Sequence, residues 1–262
     1  MLGYINSITD IVRRVAFAAL AAGTIACGTK EAAGPLEPTG PTGRVRFVNL
    51  ITDPTRNPVN AILENVPFGV NLGYGSSTPS SLPAPNTANY SAIYAGDRKL
   101  VLKKTADTSV TVANLTFTVT PNTDMTVYAV GGTGGNTVNR FVTMDDNSVV
   151  PAGATRLRIV NMRFYPTGDV DVFITAPNAD LSTATPTASL PSGVSSSYIT
   201  TVAPGTYQVR VVLSATSPAN RAANVIANIP SLALASGAAR TIVVADDKNG
   251  GPAAAAFVLS DQ

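Results

Sequence analysis

From Gly205 the chain reads GTYQVRVVL, with Tyr207, Val209 and Val211 on one side of an extended chain and Gln208 and Arg210 on the other. A period of two marks a strand with one buried face. NLTFTVTPNTDMTVYAV, Asn114 to Val130, predicts two more strands around Pro121-Asn122-Thr123-Asp124, residue types that favour turns. DRKLVLKK, Asp97 to Lys104, alternates basic and apolar for part of its length and reads as a half-exposed strand with a solvated face. Pro204-Gly205 fits the centre of a type II turn, Pro setting φ and Gly taking the positive φ that follows. Nothing after the first 43 residues carries convincing helical periodicity.

The pattern is written twice. RVRFVNL from Arg44 and RLRIVNM from Arg156 both read Arg-apolar-Arg-apolar-Val-Asn-apolar, 112 residues apart. Further echoes keep the same order. PVNAIL from Pro58 answers DVDVFI from Asp169, and the stretch from Tyr90 answers that from Tyr198. DMTVYAV from Asp124 answers ARTIVVA from Ala239, and RFVTMDD from Arg140 answers AFVLSDQ from Ala256. The joint is NSVVPAGAT, Asn147 to Thr155. The expectation is an all-β protein: two tandem immunoglobulin-like β-sandwich domains over 44–147 and 154–262, about seven strands each. A small closed barrel is the alternative and would leave no sheet edge.

The repeat resembles a bacterial family known as domain of unknown function 4397. The residues that carry the resemblance are RVRFVNL and RLRIVNM, the following VDVFI, the turn and strand VAPGTYQVRV, and the closing TVYAVGG. It covers nearly all of 44–262 in two copies. Asn60 stands where the pattern favours Asp, and VVADD from Val243 lacks the closing Gly. The resemblance implies export, often with a lipid anchor, and brings no catalytic residues with it.

The N-terminal stretch agrees. Arg13 and Arg14 precede an uncharged apolar run, Val15 to Ala26, too short to span a membrane. It reads as a secretory signal. Thr24-Ile25-Ala26-Cys27-Gly28 resembles the lipobox of bacterial lipoproteins, although Thr24 stands where such boxes usually carry Leu and Asp10 lies in the leader. The resemblance implies cleavage of a signal peptide spanning 1–26 and acylation of Cys27, the only cysteine. The same resemblance implies the outer membrane, since Gly28 stands in place of the acidic residue associated with inner-membrane retention. The alternatives are an ordinary signal peptide that leaves a free thiol, and a structural cysteine. Residues 27–43 are rich in Gly and Pro without apolar periodicity and read as a disordered tether.

Charge and chemistry narrow the function. The full chain has 18 Lys plus Arg and 16 Asp plus Glu. Without Arg13, Arg14 and Asp10 the net charge is +1, which offers no footprint for nucleic acid. There is no histidine, so Ser-His-Asp and Cys-His arrangements are excluded, as are zinc sites built on His. GGTGG, Gly131 to Gly135, follows a strand but opens no helix and reads as a hairpin loop, not a phosphate cradle. Asp169 and Asp171 could share a face for acid–base work, but read more simply as solvated residues at a strand start. Asp145-Asp146-Asn147 and Asp246 to Asn249 are oxygen-rich yet complete no EF-hand loop, and read as turns.

The expectation is therefore a non-enzymatic, lipid-anchored envelope protein for adhesion, envelope structure or protein contact. It would use no cofactor or metal, and Asp171, Asp145 and Asp246 would be exposed. A module that holds a sugar or peptide in loops at one sandwich end is the alternative, and a carboxylate hydrolase comes last. One prediction follows from Cys27. Cys27→Ala should move the protein from the membrane pellet to the soluble fraction or stall it uncleaved; unchanged processing and pelleting would refute acylation there.

Overall fold

A computed structural model describes residues 40–79, 89–165 and 167–261. Cys27, the expected signal peptide and the expected tether up to Thr39 lie outside the described residues, while Thr42 and Gly43, expected at the end of that tether, open the first strand and pair with Tyr94 and Ile93.

Strand β1 (Thr42–Ile51) shows how the period of two builds the molecule. Val45, Phe47 and Ile51 point into the core of the first half. The alternate residues Arg46, Val48 and Leu50 are just as buried, with Val48 and Leu50 in a second apolar cluster shared with the other half. β1 is thus covered on both faces.

In the first half, β1 pairs in parallel with β8 (Asp124–Gly131), from Arg44 opposite Asp124 to Ile51 opposite Gly131. β9 (Val138–Asp145) continues that sheet antiparallel to β8. On its other side β1 takes β4 (Ser77–Thr78) and β5 (Ser91–Tyr94). A parallel pair needs a long crossover, and here the crossover builds the facing sheet. That sheet is β2 (Val59–Leu63), β3 (Val66–Leu72), β6 (Gly96–Lys104) and β7 (Asp107–Val119), in the order β3-β2-β6-β7.

The second half repeats this topology. β10 (Arg156–Met162) runs parallel to β16 (Ala239–Asp246), flanked by β13 (Val194–Ser195) and β17 (Ala254–Ser260). The facing sheet orders β12 (Ala188–Leu190), β11 (Val170–Thr175), β14 (Gly205–Leu213) and β15 (Ala227–Leu234). Each half is an all-β sandwich around its own apolar cluster. The described residues carry nine strands in the first half and eight in the second, against an expected seven or so. The surplus includes β4 and β13, two residues each and too short for an alternating pattern to reveal. Three-residue 3-10 turns are the only helical segments described, and no helix among the described residues is long and apolar enough to cross a membrane.

The recurring Val-Asn has a structural cause. Asn49 and Asn161 are fully buried. Asn49 Nδ2 donates to the carbonyls of Leu72 at 2.9 Å and Gly73 at 3.2 Å, and its Oδ1 accepts from Ile51 N–H at 3.1 Å. Asn161 donates to Gly168 and Leu190 carbonyls at 3.2 and 3.0 Å and accepts from Arg163 N–H at 3.1 Å. The same amide thus ties the first strand to a neighbouring loop in both halves, at sites where an unpaired backbone group would be costly.

Of the two predicted turns, one holds and one does not. Pro121 to Asp124 joins two strands as expected, with Asn122 at φ 57°; β7 and β8 lie in different sheets, so the turn is an arch. Gly205 is not at positive φ and opens β14, so the type II turn is absent. A Cβ there would make a tight 3.3 Å contact with the ring of Tyr207, which folds back so that its hydroxyl donates to the Ala203 carbonyl at 2.9 Å.

Candidate functional site

The most organised polar cluster lies where the two halves meet, and it is reciprocal. Arg46 of β1 donates from Nε to Thr126 Oγ1 at 3.0 Å, from Nη1 to the Ser260 carbonyl at 2.7 Å and from Nη2 to Asp261 Oδ1 at 2.8 Å. Arg158 of β10 donates from Nε to Thr241 Oγ1 at 3.3 Å, from Nη1 to the Met144 carbonyl at 2.8 Å and from Nη2 to Asp145 Oδ1 at 2.5 Å. Each arginine uses a threonine of its own half and an aspartate of the other. The threonines complete the circuit: Thr126 donates to Asp145 Oδ2 at 2.5 Å and Thr241 to Asp261 Oδ2 at 2.7 Å.

Tyrosines cover both arginines. The Tyr90 ring centroid is 4.7 Å from the Arg46 guanidinium carbon, and the Tyr198 centroid is 5.0 Å from that of Arg158. Tyr90 also donates to Asp145 Oδ2 at 2.8 Å. Tyr198 accepts from Asp146 N–H at 2.8 Å. Beside it Arg156 donates to Asp146 Oδ2 and Ser148 Oγ, both at 2.8 Å, and to the carbonyls of the same two residues, both at 2.6 Å.

Both central ion pairs are dry. The side chains of Arg46 and Arg158 are 3% exposed, and those of Asp145 and Asp261 are 0% exposed. Burial pulls the two arginines down, but the surrounding tyrosines and aspartates more than offset it and hold both above their ordinary value. Both therefore stay charged. Burial also pushes the Tyr128 phenol up to about 12, with Asp145 adding to the effect.

Beyond the clamp the joint is apolar. Val48, Leu50, Tyr128 and Val130 pack in one cluster with Val160, Met162, Val243, Ala245 and Leu259. One glycine lets an aromatic close over it. Gly75, at φ 80°, lies so near Phe257 that a Cβ would meet the ring at 2.5 Å. Tyr74 packs edge-on against Phe257, centroids 5.4 Å apart, and donates to the Asp246 carbonyl.

Three carboxylates expected in solvent are buried. Asp145 belongs to the clamp. Asp171 is 6% exposed, and its Oδ1 accepts from Ser189 and Ser214 hydroxyls, both at 2.7 Å, while Asp169 is exposed; the two aspartates share no site. Asp246 is 3% exposed and accepts from the N–H groups of Phe164 and Tyr165, both at 2.9 Å. Burial raises its carboxyl above the ordinary range against the pull of those two donors and of Arg163. The reason is shared by all three: residues that a one-sheet reading places on a wet face or turn are covered, Asp145 and Asp246 by the other half or by loops, Asp171 by serines of neighbouring segments.

The remaining candidates separate in space. Asp146 pairs with Arg156, and Asn147 donates to Asp124 Oδ2 at 2.6 Å. Asp247 Oδ1 accepts from Asn249 N–H at 2.8 Å in a local turn. Among the described residues no group of three or more acidic side chains could hold a metal ion. GGTGG forms a loop between β8 and β9 whose end is held by Arg56, which donates to the carbonyls of Gly135 and Asn136 at 2.6 and 2.7 Å. On β6, Leu100 and Leu102 are buried while Asp97 and Lys99 are exposed, the solvated face that the alternation predicts. An open groove of about 860 Å³ runs along the joint, bounded by Asp53, Asn57, Asn71, Tyr74 and Thr133 of the first half and Lys248 and Asn249 of the second.

Sequence reasoning passed over Arg46, Arg158, Thr126, Thr241, Tyr90, Tyr198 and Asp261. The signal was present: each falls at a position where the two copies carry the same residue.

The family described as Domain of unknown function (DUF4397) matches residues 43–173, from the second residue of β1 through β10 to a point within β11. No curated protein matches the sequence. Among solved structures, the family CBM26 domain CBMbc of Eubacterium rectale Amy13K, in complex with maltoheptaose, is 11% identical, with a TM-score of 0.24 over 84% of this chain and 96% of that one. A candidate cell adhesion protein of Bacteroides uniformis is 9% identical, with a TM-score of 0.20 over 84% of this chain and 99% of that one. Both scores are too low for either likeness to bear on function.

Two predictions follow. Removing one partner of a buried ion pair leaves an uncompensated charge, so Arg158→Ala should cost about 3–5 kcal/mol in chemical denaturation. Combined with Asp145→Asn it should cost clearly less than the sum of the two single changes; strict additivity would show that the two groups act independently. Asp246 gives a pH-dependent test. Its folded pKa lies above the unfolded value, so its favourable contribution is complete below the unfolded pKa, about 3.9, and is lost as pH rises through the folded pKa. At pH 7 the charged form weakens the fold even with Arg163 nearby. Asp246→Asn, which keeps an oxygen for the two N–H groups, should raise Tm at neutral pH and leave it unchanged near pH 3.5. The reverse ordering would refute this.

Proposed function

The chain belongs to the domain of unknown function 4397 family, and from that premise we propose that it is a non-enzymatic envelope protein, anchored by lipid at Cys27 to the outer membrane. Its paired sandwiches, the second a further copy of the family unit, serve adhesion, envelope structure or protein contact. The observation that carries this reading is the commitment of the buried acids. Asp145 and Asp261 are neutralised by guanidinium groups that cannot release a proton, and Asp171 is held by two serine hydroxyls. Together with the absence of histidine, this leaves a pair of sandwiches with surfaces to present and little to react with.

A second reading has an observation of its own. The groove along the joint is walled by loops of both halves, with the amides of Asn71 and Asn249, the Lys248 ammonium and the Tyr74 ring along it. Polar groups around one aromatic suit a sugar or an extended peptide.

The experiment uses residues 28–262 on beads, challenged with envelope extract that is untreated, protease-treated or periodate-treated. Retention that protease abolishes supports a protein partner, and retention that periodate abolishes supports a glycan. If nothing is retained, or if a retained polymer is cleaved by the beads, the proposal fails.

A further inference from the structure

The joint between the halves has the properties of a dimer interface inside one chain. A twofold interface is recognised by reciprocity: residue i of one unit meets j of the other, and j meets i. Arg46 reaches Asp261 and the Ser260 carbonyl; Arg158, its counterpart, reaches Asp145 and the Met144 carbonyl, which are the counterparts of those. The faces that carry these groups continue into one buried apolar cluster drawn from β1 and β8 on one side and β10, β16 and β17 on the other. Stable non-covalent dimers bury this kind of surface, an apolar core with few, fully paired charges.

We propose that this face is a self-sufficient interface for a second unit of the same fold, so that the connection from 147 to 155 is dispensable for pairing. The occupant is specified by volume as well as charge. The first half carries Tyr128 and Val130 where the second carries Val243 and Ala245. Across a twofold axis, two first halves would bring both tyrosines to the joint, and two second halves would leave their space empty. The ion pairs could form in any of the three pairings, because each half supplies one arginine and one aspartate. Steric fit therefore selects first with second, a rejection of like pairs of the kind that sets partner choice elsewhere.

The connection is well placed for the test. Pro151, Ala152 and Gly153 are exposed, and Val149 is 88% exposed. A protease recognition segment inserted between Ala152 and Gly153 of the intact mature chain allows it to be cut after folding. The cut protein should remain a single particle containing both pieces on gel filtration at micromolar concentration, with an unchanged circular dichroism spectrum. Arg46→Ala with Arg158→Ala in the same cut chain should weaken pairing by more than about a thousandfold, beyond the loss expected from removing one buried charge partner. When cut chains of two differently tagged preparations are mixed and exchanged, native mass spectrometry should find first-with-second pairs in excess over like pairs. Pieces that separate while still folded, or that unfold on cutting, would overturn self-sufficiency. A statistical mixture of pairs would overturn the steric selection.

Discussion

Two guanidinium groups and two carboxylates leave water together at the centre of this molecule, and none of them could do so alone. Moving one such ion into a dry interior costs several kcal/mol even after relaxation. The cost is met only if each charge finds its opposite at hydrogen-bond distance with its remaining sites filled. Much of the architecture serves that requirement. The parallel pairing of β1 with β8 and of β10 with β16 puts Thr126 and Thr241 within reach of both an arginine and an aspartate. β9 carries Asp145 as its last residue, and Asp261 directly follows β17, so the aspartates lie at the strand ends that face the other half.

The clamp also explains why β1 and β10 are covered on both faces. Their inward residues, Phe47 and Ile159 among them, fill the two sandwich cores. The outward set of β1 runs Arg44, Arg46, Val48, Leu50, and that of β10 runs Arg156, Arg158, Val160, Met162. Along each strand the outer face thus changes from charged to apolar. The charged end holds the clamp and the apolar end holds the shared cluster, so one strand sets both halves of the joint.

The sandwiches were legible in the sequence because a strand with one buried face alternates strictly, and Tyr207, Val209 and Val211 do so. The clamp was legible only as repetition. Arg46 and Arg158, Tyr90 and Tyr198, Thr126 and Thr241, and Asp145 and Asp261 recur identically, but an arginine at an alternate strand position is as common on a wet face as in a buried pair. What decides between them is the second face of β1, where Val48 and Leu50 would have no reason to be apolar in an isolated sandwich. Asp171 was misread for a more local reason. The serines that bury it, Ser189 and Ser214, come from segments whose approach depends on the pairing of β11 with β12 and β14, and no spacing in the sequence encodes that.

A buried aspartate usually invites a catalytic reading, because burial is how enzymes shift a carboxyl towards the working pH. Structural ion-pair networks bury aspartates too, and the two are separated by what remains free. An ionised carboxylate offers about four acceptor sites. At Asp145, Arg158 and Thr143 approach Oδ1, and Tyr90 and Thr126 approach Oδ2. All four directions are occupied by the protein's own donors, so no substrate proton can reach the oxygens without breaking the joint. A general base needs one open site beside a bound ligand. Here all of the carboxylate's acceptor sites are filled by the folded chain, and Asp145 holds the joint instead of a ligand.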